Sequence, residues 1–494
     1  MIKRFIHRLL GRGAAHAQPH PPLPRHYRGH DEGIHRSSLS PHALKVCEEL
    51  TRAGFQAFVV GGAVRDMLLG IRPKDFDVAT NATPEDVKRL FRRAMIIGRR
   101  FRLVHVMFGR ETIEVSTFRA VQPDAEKDEH GRVLRDNAFG TQAEDAARRD
   151  FTVNALYYDP VADSILDWHG GMADLRARTL RMIGDASERY REDPVRMLRT
   201  VRFAAKLGFE IDAPTRAPIA QLADLIGNVP AARLFDEMLK LLESGYALAC
   251  LQRLRAEGLH HGLLPMLDAV LDAADGERFV TLALARTDER VRAGKPISPG
   301  FLFATLLWPQ VRARWNAGAA GGAHALEALN AAIDAVLDEQ AGRFAIQKRH
   351  AADMREIWTL QPRFERRGGR SAWRLIEHLR LRAGYDFLLL RCDAGELPAE
   401  LGDWWTRFIE ADAAERESLV EALARSGQAG AEPRKRRRRK RRADSGAPAA
   451  DDGAQPQRDQ LEPGDPDDSE GGPGVEPGGA PVDRPEVEPV SARR

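Results

Sequence analysis

At 494 residues with 43% hydrophobic content, the chain is long enough for two or three domains with real cores. Its three cysteines, Cys47, Cys250 and Cys392, have neither metal-ligand spacing nor a disulfide framework, which argues against a cysteine-stapled secreted fold and for a reducing cytoplasm. The net charge of +3 hides segregation: residues 434–442 are nine consecutive basic residues, whereas residues 443–494 hold 13 acidic and 4 basic ones.

Residues 1–40 are basic and Pro/His-rich, and read as a mobile segment. No h-region and cleavage site follow the basic start, so it is not a secretory signal, and no apolar stretch reaches membrane-spanning length. Ile2, Phe5, Leu9 and Leu10 would allow at most a weak peripheral membrane contact.

Residues 55–60 form a short apolar run that predicts a strand, and residues 63–69 are helix-forming. Gly61 and Gly62 lie between them, where small residues let backbone N–H groups approach phosphate oxygens at a helix start. A glycine pair alone is usually just a turn, and the spacing fits neither the dinucleotide fingerprint nor the Walker loop. Asp75 and Asp77 follow at i and i+2, facing the same way if the segment is extended. Such a pair is often a solvated edge, but beside a phosphate-binding turn it can hold Mg²⁺, which prefers hard oxygen ligands. Two such ions, roughly 3.5–4 Å apart, would activate a hydroxyl and stabilise a departing pyrophosphate.

Residues 111–119 alternate polar and apolar, with Glu114 on the polar face of a half-buried strand. From that pattern a metal carboxylate and a solvated residue are equally good readings. In residues 192–206, Val195, Leu198, Val201 and Ala205 recur at helical spacing, with Arg196, Arg199 and Arg202 on another stripe. Asp193 before Pro194 fits an N-cap followed by a first-turn proline. From residue 231 to about 425 the apolar spacing stays helical, without a clear repeat. The arginine run, including Arg434, Lys435, Arg436, Arg437, Arg438 and Arg439, would attract an RNA backbone, and the acidic Pro/Gly-rich end has too little apolar content to fold.

The segments Phe58-Val59-Val60-Gly61-Gly62-Ala63-Val64-Arg65-Asp66 and Lys74-Asp75-Phe76-Asp77 resemble the head of the class II nucleotidyltransferases, the bacterial poly(A) polymerases and CCA-adding enzymes. Arg148-Arg149-Asp150, Gly170-Gly171-Met172-Ala173-Asp174-Leu175 and Glu192-Asp193-Pro194-Val195-Arg196-Met197-Leu198-Arg199 match the same superfamily. The run Ile97-Gly98-Arg99-Arg100-Phe101-Arg102-Leu103-Val104-His105-Val106 is similar to a signature of the poly(A) polymerase branch, as are Asn81-Ala82-Thr83-Pro84-Glu85 and residues 135–140. Some CCA-adding enzymes carry a His-Asp phosphohydrolase domain, and the one adjacent His-Asp pair here, His30-Asp31, lacks that context.

The resemblance implies an α+β protein: a polymerase-β-type nucleotidyltransferase head at residues 41–168, a helical neck at 169–230, a helical RNA-binding body at 231–425 and a disordered tail at 426–494. It implies template-independent addition of AMP from ATP to RNA 3′ ends, with CCA addition to tRNA as the nearest alternative and a non-catalytic RNA-binding protein as a rival of another class. Asp75 and Asp77 would bind the metal, with Glu114 or Asp150 as the third carboxylate. Gly61, Gly62, Arg65, Arg149, Asn154 and Arg199 would serve the nucleotide, while Asp193 and Arg196 would read its base. It further implies a role in RNA decay, with an RNA chaperone or degradation enzymes as possible partners.

Overall fold

The computed structural model describes residues 23–98, 102–120, 138–259, 274–341 and 345–425. Eight strands form one mixed sheet: β1 (Arg25–Arg28), β2 (Ala57–Val60), β3 (Asp77–Thr80), β4 (Ala94–Ile97), β5 (Leu103–Phe108), β6 (Glu111–Thr117), β7 (Leu156–Asp159) and β8 (Ser164–Asp167). Their order is β1-β8-β7-β2-β3-β6-β5-β4. All neighbours run antiparallel except β3 and β6, which run parallel and set Asp77 opposite Glu114.

The two faces are buried differently. On one, Val59, Val78, Val104 and Val115 are buried in a core shared with Ala43, Val46, Cys47 and Leu50 of helix α1 (Pro41–Arg52). Helices α2 (Gly62–Leu68) and α3 (Pro84–Leu90) contribute Val64 and Val87 to that core. On the other face, Phe58, Val60, Ala79 and Tyr157 pack with Phe118 and with Ala146 of α4 (Gln142–Arg148). This second cluster is small, and Asp77 and Glu114 on the same face are not buried in it.

The segment expected to be mobile through residue 40 is ordered earlier than that. Arg25–Arg28 pairs with Ser164–Asp167 as the sheet's edge, and Ile34 and Leu39 are buried. An exposed edge strand of Arg-His-Tyr-Arg is held by backbone hydrogen bonds and shows no apolar alternation, so pattern reading passes over it. Residues 1–22 lie outside the described residues.

Beyond the sheet come α5 (Gly171–Arg176), α6 (Ala186–Glu192) and α7 (Val195–Leu207), with a two-residue parallel pair, β9 (Thr179–Leu180) and β10 (Glu210–Ile211). The superfamily segment at Gly170-Gly171 is structural: Asp167 accepts backbone N–H bonds from Gly171 at 2.8 Å and Met172 at 3.0 Å. A Cβ on Gly171 would come 2.3 Å from the Thr152 carbonyl oxygen, so only glycine fits there.

The body is helical: α8 (Ala231–Leu242), α9 (Ala247–Ala256), α10 (Ala274–Arg292), α11 (Pro299–Ala320), α12 (Ala325–Ala341), α13 (Lys348–Phe364), α14 (Arg370–Ile376), α15 (Leu381–Asp393), α16 (Ala399–Glu410) and α17 (Ala413–Arg425). One core runs continuously from the sheet into these helices, and a second gathers Phe364, Trp404, Trp405 and Phe408. Two fully buried indoles find carbonyl partners, Trp358 on Ala304 at 3.1 Å and Trp405 on Phe364 at 2.8 Å. The three cysteines are buried and unbridged. No helix among the described residues is long and apolar enough to cross a membrane.

Candidate active site

The site begins where β2 ends. Gly61 has φ +70° and ψ −127°, a conformation open to glycine, and a Cβ there would sit 3.2 Å from the Arg149 guanidinium. The turn releases the chain directly into α2, whose first N–H groups have no partner within the helix.

Asp75 and Asp77 lie next to this turn, exposed on either side of buried Phe76. The strand proper starts only at Asp77, yet the in-out alternation already holds through Asp75. Parallel pairing brings Glu114 alongside Asp77, and Glu114 is half exposed. Asp77 is accessible to water on one side and crowded by protein on the other. Desolvation first, then the negative charges of Glu114 and Asp75, push its carboxyl up to about 6, while Arg149 pulls it down. Three like charges on one open face have more to gain from a cation than from each other. Among the described residues they do not close into a cage of three or more ligands; they form an open edge. Their hard oxygens, near the Gly61 turn, fit a divalent ion that keeps part of its shell open.

Arg149 is fixed from behind. Its Nε donates to the Tyr157 hydroxyl at 2.9 Å, its Nη2 to Asp145 at 3.2 Å, and Tyr157 donates to Asp145 at 2.6 Å. Burial alone would weaken the guanidinium's charge, but Tyr157 and Asp145 raise its pKa above the ordinary value. The remaining Nη1 faces Gly61.

Asp150 is directed elsewhere. One of its oxygens accepts from Phe151 N at 2.8 Å and Asn154 Nδ2 at 3.0 Å, and the other accepts from Arg199 at 3.0 and 2.6 Å. Burial would raise this carboxyl, but Arg199 and those donors overcome it and hold it at about 2. Asn154 passes the network on, accepting from Arg65 Nη1 at 2.5 Å. Arg65 is 3% exposed and spends its other donors on Asp66 at 2.8 and 2.6 Å. Arg65, Asn154 and Asp150 therefore line the inside of the site wall and support it.

On the neck, Asp193 is the C-terminal cap of α6 through its backbone N–H, and its side chain does not cap α7, whose N-cap is Pro194 without a side-chain bond. Its Oδ2 accepts from Arg233 at 2.6 Å, while its Oδ1 is buried without a partner. Arg196 donates through Nη1 to the Arg189 carbonyl and to Glu192, both at 2.8 Å. Arg189 in turn binds Glu192 at 2.9 Å and the carbonyls of Arg148 and Arg149 at 2.7 Å. Asp145, Tyr157, Arg189 and Arg233 are supports that sequence reasoning missed. Their partners lie 3 to 41 residues away in the chain, and the i,i+4 spacing of Asp145 and Arg149 and the i,i+3 spacing of Arg189 and Glu192 gave the local signals. The arginine run from Arg434 to Arg439 lies outside the described residues, as do Arg99 to Phe101 and residues 135–137.

An acidic strand pair beside a glycine turn, joined to a helical neck through Asp150–Arg199 and Arg189, is the arrangement of a nucleotidyltransferase. Residues 57–181 match the poly A polymerase head domain family, and residues 321–443 match the polymerase A arginine-rich C-terminus. Residues 208–271 match the probable RNA and SrmB-binding site of polymerase A. Poly(A) polymerase I of Haemophilus influenzae is 45% identical over 399 residues, 78% of this chain and 88% of its own length. That of Salmonella typhi is 42% identical over 461 residues, 89% of this chain and 97% of its own length. The chain belongs to the poly(A) polymerase I family. The CCA-adding enzyme of Geobacillus kaustophilus is 38% identical but matches only 44% of this chain and 53% of its own length. The crystal structure of the Bacillus stearothermophilus CCA-adding enzyme in complex with CTP shares the fold with a TM-score of 0.51 and 26% identity, covering 78% of this chain and 83% of that one. Membership in this family implies a divalent metal cofactor.

Proposed function

We propose that the protein adds AMP from ATP to RNA 3′ ends without a template, releasing pyrophosphate. The observation that carries this reading is the pairing of Asp77 with Glu114 directly beside the Gly61 turn and Arg149. Relatives named poly(A) polymerase I, matched over most of their length, support it.

Asp75, Asp77 and Glu114 would hold Mg²⁺, which supplies charge neutralisation of the phosphates and activation of the attacking hydroxyl. Arg149 meets the triphosphate over the Gly61 turn, where a guanidinium can fork onto paired oxygens. Asp150 clamps Arg199 and thereby sets the neck against the head. The neck presents the free oxygen of Asp193 to the base. Adenine offers an exocyclic N–H donor to such an acceptor, and a base that leaves a buried acceptor unpaired is penalised. The 3′-hydroxyl of the RNA attacks the α-phosphorus, its proton passes to solvent, and the bond to the pyrophosphate oxygen breaks. The absence of spanning helices among the described residues and the unbridged cysteines agree with action in the cytoplasm.

The test is a primer-extension gel with Mg²⁺, in which oligo(A) and a tRNA lacking its CCA end are each offered ATP or CTP alone. A long ladder on oligo(A) with ATP supports polyadenylation. Two C additions followed by one A on the tRNA would instead make it a CCA-adding enzyme, and no product would leave an RNA-binding protein.

A further inference from the structure

The catalytic carboxylates belong to a row that continues to the edge of the sheet. Asp77 lies opposite Glu114, Glu114 opposite His105 of β5, and His105 opposite Met95 of β4. Residues directly opposite in neighbouring strands point to the same face, so all four share the catalytic face. The next row, Val78, Val115, Val104 and Ile96, packs toward the core on the other side. From β7 to β3 the catalytic face is covered by Phe118, Ala146 and Arg149. From β6 to β4 it stays open among the described residues: Met95 is 48% exposed, Met107 is 37% exposed, and Leu103 and Ile97 are partly exposed. His105 stands in the middle, about one-third exposed, with its Nε2 3.7 Å from Glu114.

Resting on the nucleotidyltransfer reading above, we propose that His105, with Met95 and Met107, forms the seat for the 3′-terminal nucleoside of the RNA being extended. The reaction requires two substrates on opposite sides of the carboxylates. The Gly61 turn, Arg149 and the neck occupy the side that suits a triphosphate and its base. Among the described residues the side left over carries Arg93 beside Met107 at the sheet edge, while Arg102 turns away to pair with Glu85 and Glu114 repels anions near the carboxylates. An imidazole ring flanked by soft thioethers instead suits the uncharged face of a base, with sequence-tolerant stacking. Seated there, the terminal ribose lies next to Glu114 and Asp77, where its hydroxyl is needed. The inference also gives a physical role to the Leu103-Val104-His105-Val106 segment, whose alternation places two valines in the core and His105 on the working face.

The experiment measures KM for an oligo(A) primer and for ATP in wild-type protein and in His105→Ala, His105→Phe and His105→Gln. His105→Ala should raise primer KM by about ten-fold, the scale of one lost stacking contact, with ATP KM unchanged. His105→Phe should restore primer KM because it keeps a ring, and His105→Gln should not. An unmoved primer KM in His105→Ala overturns the proposal. Rescue by glutamine and not by phenylalanine also overturns it, because His105 would then act through its polar contact with Glu114. A measurement on wild-type protein is independent of variant folding: RNA ending in 8-azidoadenosine should crosslink within residues 95–107, and adducts confined to neck or body residues overturn the seat. Wild-type protein that extends no RNA with ATP would fail the underlying reading, whereas extension with an unmoved primer KM fails this inference alone.

Discussion

Arg199 of the neck places both Nε and Nη2 on one oxygen of Asp150 in the head, at 3.0 and 2.6 Å, and this ion pair is largely buried. It belongs to a polar chain that runs from Asp66 through Arg65, Asn154 and Asp150 to Arg199 and on to Glu237, 3.9 Å away. Removing one member of a buried pair strands the other, which typically costs about 3–5 kcal/mol. Arg199→Met should therefore lower the urea midpoint strongly at neutral pH. Adding Asp150→Asn to it should recover part of the loss, a coupling that a double-mutant cycle measures.

The same pair makes an acid-stability prediction. The Asp150 carboxyl sits at about 2 in the folded protein, below its unfolded value near 3.9. A depressed carboxyl contributes stability that is fully present above the unfolded value and lost as pH falls through the folded one. The contribution is on the order of 2 kcal/mol. The stability gap between wild type and Asp150→Asn should thus narrow as pH falls from about 4 toward about 2. A gap that stays constant across that window would show that Asp150 carries no such linkage.

The two glycines at the turn should respond differently to alanine. At Gly61 a Cβ meets both an unfavourable φ of +70° and the Arg149 guanidinium 3.2 Å away. Gly61→Ala should destabilise the protein by roughly 1–3 kcal/mol of backbone strain and raise ATP KM by displacing Arg149. Gly62 is the first residue of α2, and a Cβ there finds only the Arg65 guanidinium at 3.6 Å, an ordinary contact. Gly62→Ala should fold as well as wild type, so any loss of ATP affinity in it would report on phosphate approach alone. Thermal melts and ATP KM values for the pair separate strain from binding.

What was legible in the sequence was what is local. The glycine turn, the Asp75/Asp77 alternation and the polar position of Glu114 each depend on periods of two or on one strand-to-helix junction. The partnership of Glu114 with Asp77 was not legible, because it is a register between parallel strands 37 residues apart. Arg65 and Asn154 read as nucleotide ligands since their residue types suit phosphate and ribose. Only the fold shows that they spend their polar atoms on Asp66, Asp150 and each other. Asp193 before Pro194 imitates an N-cap in sequence, but the helix begins one residue later and leaves the carboxylate uncapping.

Asp77 should show the trade-off expected of a metal carboxylate. Its carboxyl is pushed up to about 6 by desolvation and by Glu114 and Asp75, so above that pH its charge opposes folding when no cation is bound. Here the sign is opposite to Asp150: a raised carboxyl favours the folded state at low pH and disfavours it as pH rises through 6. Asp77→Asn should abolish nucleotidyl transfer while stabilising the metal-free protein at about pH 8, by on the order of 1 kcal/mol after solvent screening at this exposed group. The melting temperatures should converge only as pH falls below the unfolded value near 3.9, where the carboxyl is protonated in both the folded and the unfolded state. Adding Mg²⁺ should raise the wild-type melting temperature and leave the variant's unmoved. Retained activity in Asp77→Asn would remove these carboxylates from the mechanism.

Base choice should reside in the unpartnered oxygen of Asp193. Its Oδ2 is held by Arg233 at 2.6 Å, while its buried Oδ1 has no donor to accept from. A buried acceptor without a donor costs about 1–3 kcal/mol, a debt that an amino group on the correct base removes. Asp193→Ala takes away both the cost and the discrimination. It should leave the fold intact, raise ATP KM and shrink the preference for ATP over UTP, whose base carries a carbonyl where adenine carries its amine, by roughly ten-fold or more, the scale of one lost charged hydrogen bond. Arg233→Ala leaves the carboxylate in place but frees it to rotate, so it should reduce the same preference by a smaller factor. Competition between ATP and UTP on one oligo(A) primer reads both variants. A preference unchanged in Asp193→Ala would move base reading to Arg196, whose Nη1 is already engaged by Glu192 and the Arg189 carbonyl and whose other donors would then have to reach the base.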